Sequence, residues 1–163
     1  MARRVFFSFH YERDIWRANV VRNSWVTQPD REAAGFWDAS LWEEARRRGD
    51  DAVRRMIDEG IRNTSVTAVL VGAKTAQRRW VRYEIEESHK RRNGILAVHI
   101  NSIRDRNGHT DAQGANPLGQ VYVRQDGRRV PLSELYRTYD WVWNHGYTGF
   151  AMWVDAVAYA AGR

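Results

Sequence analysis

Cysteine is absent from the 163 residues, and lysine nearly so: only Lys74 and Lys90 occur, and the other 24 basic residues are arginines. Without cysteine there can be no disulfide framework and no thiolate metal site, so a cytoplasmic setting is the default expectation. Long apolar runs are missing too. The basic start MARR precedes an apolar run of only Val5 to Phe9, too short for the core of a signal peptide, and no later segment approaches a membrane span of about 20 apolar residues. A soluble protein without membrane association is expected. The five histidines show no metal-ligand spacing. Asp105, His109 and Asp111 share one loop and give only a faint hint of an ion, so no metal is expected.

What remains is basic and mixed. The formal charge is +6 and the sequence pI near 10.0, which raises nucleic acid as a partner. The arginines, however, are spread along the whole chain among acidic residues, so a nucleic-acid partner is not expected. Anionic small ligands, including phosphorylated ones, are the main functional alternative to a solubilising role. With 43% hydrophobic residues, the length suits one domain, residues 1–163, around one core.

The apolar periods alternate. The segment RRVFFSF reads as a buried strand and ERDIWRANVVRNSW as a helix. GFWDAS then reads as a short second strand followed by a polar loop, LWEEARRRGD. Val53, Met56, Ile57 and Ile61 recur at helical spacing behind an Asp50 or Asp51 cap. SVTAVLVG and ILAVHI are continuous apolar strands, as expected where both faces are covered. Between them lies a helix that Asn93-Gly94 should stop. The last third holds a Gly- and Asn-rich loop, a hairpin turning at Asp126-Gly127, a final strand in TYDWVW, and a closing helix with Phe150, Trp153, Val154, Val157 and Ala158 on one face. Trp141, Trp143 and Trp153 are expected to pack the distal side of the sheet. This rhythm predicts an α/β fold: a three-layer, open, mainly parallel sheet with helices on both faces and its ligand site at the carboxyl ends of the strands.

Strand ends narrow the class. A phosphate-binding loop needs clustered glycine after a strand, but His10, Tyr11, Glu12 and Arg13 follow the first one. A phosphoreceiver domain needs an aspartate after the third, where Gly72, Ala73 and Lys74 stand instead. One charged residue is out of place. At about 100° per residue, Trp80, Val81, Ile85 and Ser88 share an arc of roughly 140°, and Glu84 falls inside it. A carboxylate on a packing face loses hydration unless it gains a partner. In a chain so rich in arginine, the ordinary reading is an ion-paired core residue.

RRVFFSFHYERD resembles the start of a TIR domain, and IDEGIRNTSVTAVLVGAKTAQRRWVRYEI is similar to that family's helix, strand, then Trp followed four residues later by Glu. The VFFSFHY segment is most similar to the TIR-like family of bacterial Thoeris antiphage defence proteins, with good register over residues 3–100. The resemblance implies a TIR-like, flavodoxin-like topology and an enzyme acting on NAD as substrate, with no separate cofactor. Such an enzyme cleaves the nicotinamide–ribose bond and makes a cyclic or conjugated ADP-ribose signal, sensed by a separate effector protein. It implies Glu84 as the catalytic residue, and self-association in the active state. Ser8, Phe9, His10 and Tyr11 match the family's first loop beside the nicotinamide ribose. Asp38 and Trp42 flank the second strand and its following loop, and Trp80 precedes the catalytic position; all seven are candidate substrate contacts. Arg46, Arg47 and Arg48 are an alternative pyrophosphate contact to a merely solvated charge run. The competing reading is a non-catalytic TIR-fold interaction module.

Overall fold

The computed structural model describes residues 3–163. Five parallel strands form the sheet: β1 (Arg3–Ser8), β2 (Arg31–Ala34), β3 (Val66–Val71), β4 (Gly94–His99) and, after a separate antiparallel hairpin of β5 (Tyr122–Gln125) and β6 (Arg128–Pro131), β7 (Thr138–Asp140). Their order is β2-β1-β3-β4-β7, which is the flavodoxin-like order, with its reversal point between β1 and β3. The hairpin turns where expected, with Asp126 at φ 52° and Gly127 at φ 77°, the geometry that a tight two-residue turn requires.

Alternation along each strand divides the core. Phe7, Ala68, Leu70, Leu96 and Val98 face α1 (Tyr11–Val26) and α6 (Gly146–Ala160), which bring Ala18, Val21, Trp25, Phe150 and Val154. Val69, Val71, Ile95 and Ala97 face the other way, onto Val81 and Ile85 of α4 (Arg79–Lys90). Phe6 meets Trp42 and Ala45 of α2 (Ala39–Arg48) and Val53, Ile57 and Ile61 of α3 (Asp50–Ile61). The three-layer architecture is as expected.

Several local readings need correction. The second strand is Arg31–Ala34, not GFWDAS; Gly35, at φ 89°, turns the chain out of the sheet before Phe36. The polar LWEEARRRGD stretch is helical rather than a loop. Asp38 caps α2 by accepting from the Ser40 N–H at 2.8 Å, Glu44 and Arg48 pair one turn apart at 2.8 Å, and Arg46, Arg47 and Arg48 sit in the last turn, where the helix dipole favours cations. Gly49, not Asp50 or Asp51, is the N-cap residue of α3; Asp50 is engaged by Arg79 instead. At the end of α4 the left-handed residue is Arg92, φ 59°. Its N–H donates to the His89 carbonyl and that of Asn93 to Ser88, a Schellman closure. Trp143 is 75% exposed, so it does not pack the sheet, whereas Trp141 is buried and Trp153 stacks on Tyr139 with ring centroids 4.0 Å apart.

The Gly- and Asn-rich loop after β4 is held by α1. Arg17 donates to the carbonyls of Ile103 at 2.7 Å and His109 at 2.8 Å, and Arg13 binds Asp111 at 2.7 Å. The acids of this loop therefore serve arginines, and among the described residues no group of three His, Cys, Asp or Glu side chains is placed to hold a metal. Among them, too, no helix is long and apolar enough to cross a membrane.

Gly94 is fixed by contact rather than by dihedral angle: a Cβ there would lie 2.6 Å from the Val157 carbonyl oxygen of α6. Replacing Gly94 with Ala should destabilise the fold by about 1–3 kcal/mol, the usual cost of forcing atoms into a packed interior. Chemical denaturation measures it, and an unchanged midpoint would show that α6 docks loosely.

Candidate active site

Glu84 lies on the α4 face that packs against the sheet, 4% exposed. One turn further along, Ser88 exchanges a 2.6 Å hydrogen bond with Thr67 of β3. Ser8, the last residue of β1, is fully buried and near enough to Glu84 to favour its charged form. No hydrogen bond joins the two, and both Ser8 Oγ and Glu84 Oε2 are left without a partner. Among the described residues no cation comes within ion-pair distance of Glu84. The ion-paired core reading is thereby excluded. Burial raises the Glu84 pKa to about 8, an effect that Ser8 only partly offsets.

The carboxyl group borders a cavity lined by Phe7, Phe9, Tyr11, Gly35, Trp37, Trp42, Arg78, Trp80 and Val81. Its free space is about 10 Å³, room for about one water. Of the residues expected from sequence, Phe9, Tyr11, Trp42, Trp80 and Glu84 therefore meet at one cavity, with Ser8 directly behind. His10 and Asp38 do not line it. His10 caps α1, its Nδ1 accepting from the Arg13 N–H at 3.3 Å, and burial with the nearby Arg78 lowers its pKa. Asp38 caps α2, and its short hydrogen bonds to Ser40 lower its pKa.

Sequence reasoning did not single out Arg78, Gly35 or Glu12. Glu12 sits at the cavity rim, where Arg78 Nη2 donates to its two oxygens at 3.0 and 3.3 Å, Arg46 Nη1 at 3.2 Å and the Trp42 indole N–H at 3.4 Å. Burial works against its charge, but a backbone N–H, Arg78 and Trp42 outweigh it and hold Glu12 below the usual carboxylate range. The only available sequence signal was the pair of arginines immediately before Trp80; Glu12 and Arg78 are 66 positions apart.

Two other features compete for attention. A larger cleft of about 870 Å³ lies at the opposite end of β4, between α4, α6 and the turn before β7. It contains no carboxylate, so size does not select it. Asp14 is also buried without a hydrogen-bond partner, and burial raises its pKa to about 6 against the pull of Arg13 and Arg17. It packs on Gly72 and does not line the aromatic cavity. Among the described residues, Glu84 is the unpaired carboxyl group that borders this aromatic chamber.

A parallel sheet in this order, with an unpaired glutamate on the helix after β3 facing the end of β1, defines a TIR-like α/β domain. Residues 6–105 match the family described as Thoeris protein ThsB, TIR-like domain, and the chain belongs to that family. A Bacillus cereus (strain MSX-D12) protein described as "Putative cyclic ADP-D-ribose synthase ThsB1" is 42% identical over 193 aligned positions, covering 95% of this chain and 100% of the relative.

The raised pKa has a stability consequence. A carboxyl whose pKa is higher folded than unfolded holds its proton more tightly in the native state, so its contribution is fully present below about pH 4.5 and is lost as pH climbs to about 8. Glu84→Gln removes this titration. Relative to the parent, the variant should gain roughly 2–5 kcal/mol between pH 4.5 and 8. Denaturation at a series of pH values measures it, and a parallel pair of curves would show that burial does not raise the Glu84 pKa.

Proposed function

We propose that this protein cleaves NAD at the nicotinamide–ribose bond and converts the ADP-ribose portion into a cyclic or conjugated signal that a separate effector senses. The observation that carries the reading is Glu84, a buried carboxyl group with no counter-ion, facing an aromatic chamber at the carboxyl edge of the sheet. The name of the Bacillus cereus relative supports the same chemistry.

The geometry suits that bond. As the C1′–N bond breaks, its electron pair leaves with neutral nicotinamide, and positive charge moves from the pyridinium ring to an oxocarbenium-like ribose. A carboxylate fixed in a water-poor site stabilises this charge more than bulk water does. Ser8 behind Glu84 can orient it, while Phe9, Trp37, Trp42 and Trp80 exclude water and offer ring faces to the pyridinium. Buried in this narrow cavity, Glu84 holds its proton near neutral pH; a cationic ligand beside it favours ionisation. Capture of the ribose by another hydroxyl or ring nitrogen of the same molecule gives a cyclic product, and capture by water gives free ADP-ribose.

Self-association in the active state belongs to the same proposal. Tyr147, Met152 and Tyr159 of α6, and Trp143 just before it, are largely exposed, apolar surface that a second copy could cover. Specific activity should therefore rise with protein concentration; a constant value in a monomeric sample, checked by sedimentation, would remove the assembly requirement.

Mass spectrometry of nucleotides after incubation with NAD, with and without extract of phage-infected cells, tests the chemistry. Glu84→Gln should lower product formation at least about a hundredfold, the scale of losing one preorganised charge-stabilising group, while Glu86→Gln on the outer face of α4 should change it little. A folded, fully active Glu84→Gln would reject catalysis by this residue and favour the interaction-module reading.

A further inference from the structure

The cavity at Glu84 is too small, as found, for any part of a dinucleotide, and the structure shows what closes it. A second cleft, about 480 Å³ and open, lies immediately outside, lined by Arg46, Asp50, Val53, Gln77, Arg78, Arg79 and Trp80. Arg78 and Trp80 line both spaces and so form the wall between them. The Glu12 carboxylate lies against this wall from the α1 side, taking three donor side chains from two elements: Arg46 and Trp42 from α2, and Arg78 from the start of α4.

Such a convergence of two guanidinium groups and an indole N–H is an oxyanion-binding set. In this state its anion is a side chain of the same protein. Glu12, Arg46 and Arg78 keep 37%, 46% and 32% of their side-chain surface exposed, and ion pairs this accessible to solvent contribute little net stability. An incoming anion with more oxygens and more charge can displace Glu12. Of the neighbouring acids, Asp50 is held by Arg79 at 2.6 and 3.1 Å, whereas Glu43 shares Arg46 Nη1 with Glu12 at 3.2 Å, so Arg78 and Trp42 are the donors that Glu12 alone occupies.

We propose that Arg46, Arg78 and the Trp42 indole N–H form the pyrophosphate subsite of the dinucleotide, and that Glu12 occupies this subsite as an internal stand-in until the substrate displaces it. The inference rests on the reading of Glu84 as the NAD-cleaving carboxylate. With the pyrophosphate at the wall, the nicotinamide ribose is directed inward to Glu84, and the adenosine lies in the open cleft beside Trp80. Displacing Glu12 also removes the ionic tie of α1 to α2 and α4 at the cavity mouth, leaving the Tyr11–Trp42 ring contact to yield as the ribose enters. No bond is made or broken in this step; one anion replaces another.

The test is binding of ADP-ribose, which lacks the scissile nicotinamide–ribose bond, measured by isothermal titration calorimetry on the Glu84→Gln protein. Adding Glu12→Gln should tighten binding about tenfold or more, and adding Arg78→Gln should weaken it by a similar factor, with Arg78→Lys between the two because it keeps the charge and loses the fork. Arg48→Gln, on the same helix as Arg46 but outside the cleft, should leave affinity unchanged. With Glu84 intact, Glu12→Gln should lower KM for NAD and leave kcat nearly unchanged, a split that a merely structural role of Glu12 would not produce. No measurable ADP-ribose binding by the Glu12→Gln variant overturns the inference, as do equal affinities with and without Glu12 or Arg78. So does an Arg48→Gln loss as large as that of Arg78→Gln, which would reduce the effect to bulk charge. If NAD turnover depends on Glu84 while affinity ignores Glu12 and Arg78, only the subsite fails. If turnover ignores Glu84, the enzymatic reading itself fails.

Discussion

A carboxyl group buried without a counter-ion is the constraint around which this end of the molecule is arranged. In a chain with 24 arginines, leaving Glu84 unpaired requires that every nearby guanidinium be occupied elsewhere. Arg78 is the nearest candidate, since it lines the same cavity, and it is turned outward to Glu12. Arg79 is held by Asp50 and lies over the outer face of Trp80 at 4.5 Å. Arg82 pairs along the helix with Glu86 at 3.1 Å. The acidic residues that interleave the arginines in the sequence thus do more than balance charge. They keep the arginines of the region away from one buried carboxyl group.

The fold was legible in sequence where burial is two-sided. The runs VTAVLV and GILAVH are buried at every position, and a continuous apolar run of that length leaves little choice. It was illegible where an element has one narrow contact. Helix α2 buries only Trp42 and Ala45, so its polar remainder resembles a loop; its cap and its ion pairs, rather than a hydrophobic stripe, define it. Strand β2 is an edge strand of four residues with one buried position, and Arg31 contributes by lying over the Trp25 ring at 4.7 Å instead of by apolar alternation. Arg92 in the left-handed region runs against residue preference and could not be anticipated, because the neighbouring Asn93-Gly94 pair offered a better local candidate.

The site divides the same way. Glu84 was visible because a period of 3.6 residues makes a misplaced charge conspicuous within one helix. Phe9, Tyr11, Trp42 and Trp80 followed from the resemblance and do meet at the cavity. His10 and Asp38 were drawn in by their positions beside strand ends, yet such positions are also where helices begin, and both turned out to be caps. The ion cluster at the rim joins residues from α1, α2 and the start of α4, and no spacing within a single element records it.

Cavity volume and proton affinity are two aspects of one state. The side chains around Glu84 leave about 10 Å³, too little for the several waters that would hydrate a carboxylate, and that dryness is what lifts its pKa to about 8. The closed form consequently stores Glu84 as a neutral acid, which costs far less to bury than an ion. A larger open cavity would admit water and return the group toward the ordinary carboxylate range, lowering the charge-stabilising power gained from a dry site. An arginine partner would ionise it at once and cancel its field. The remaining arrangement, dry and unpaired, keeps the group neutral until a cation arrives; the cation itself then makes the charged form the favoured one, at the place where a ribosyl cation would need it.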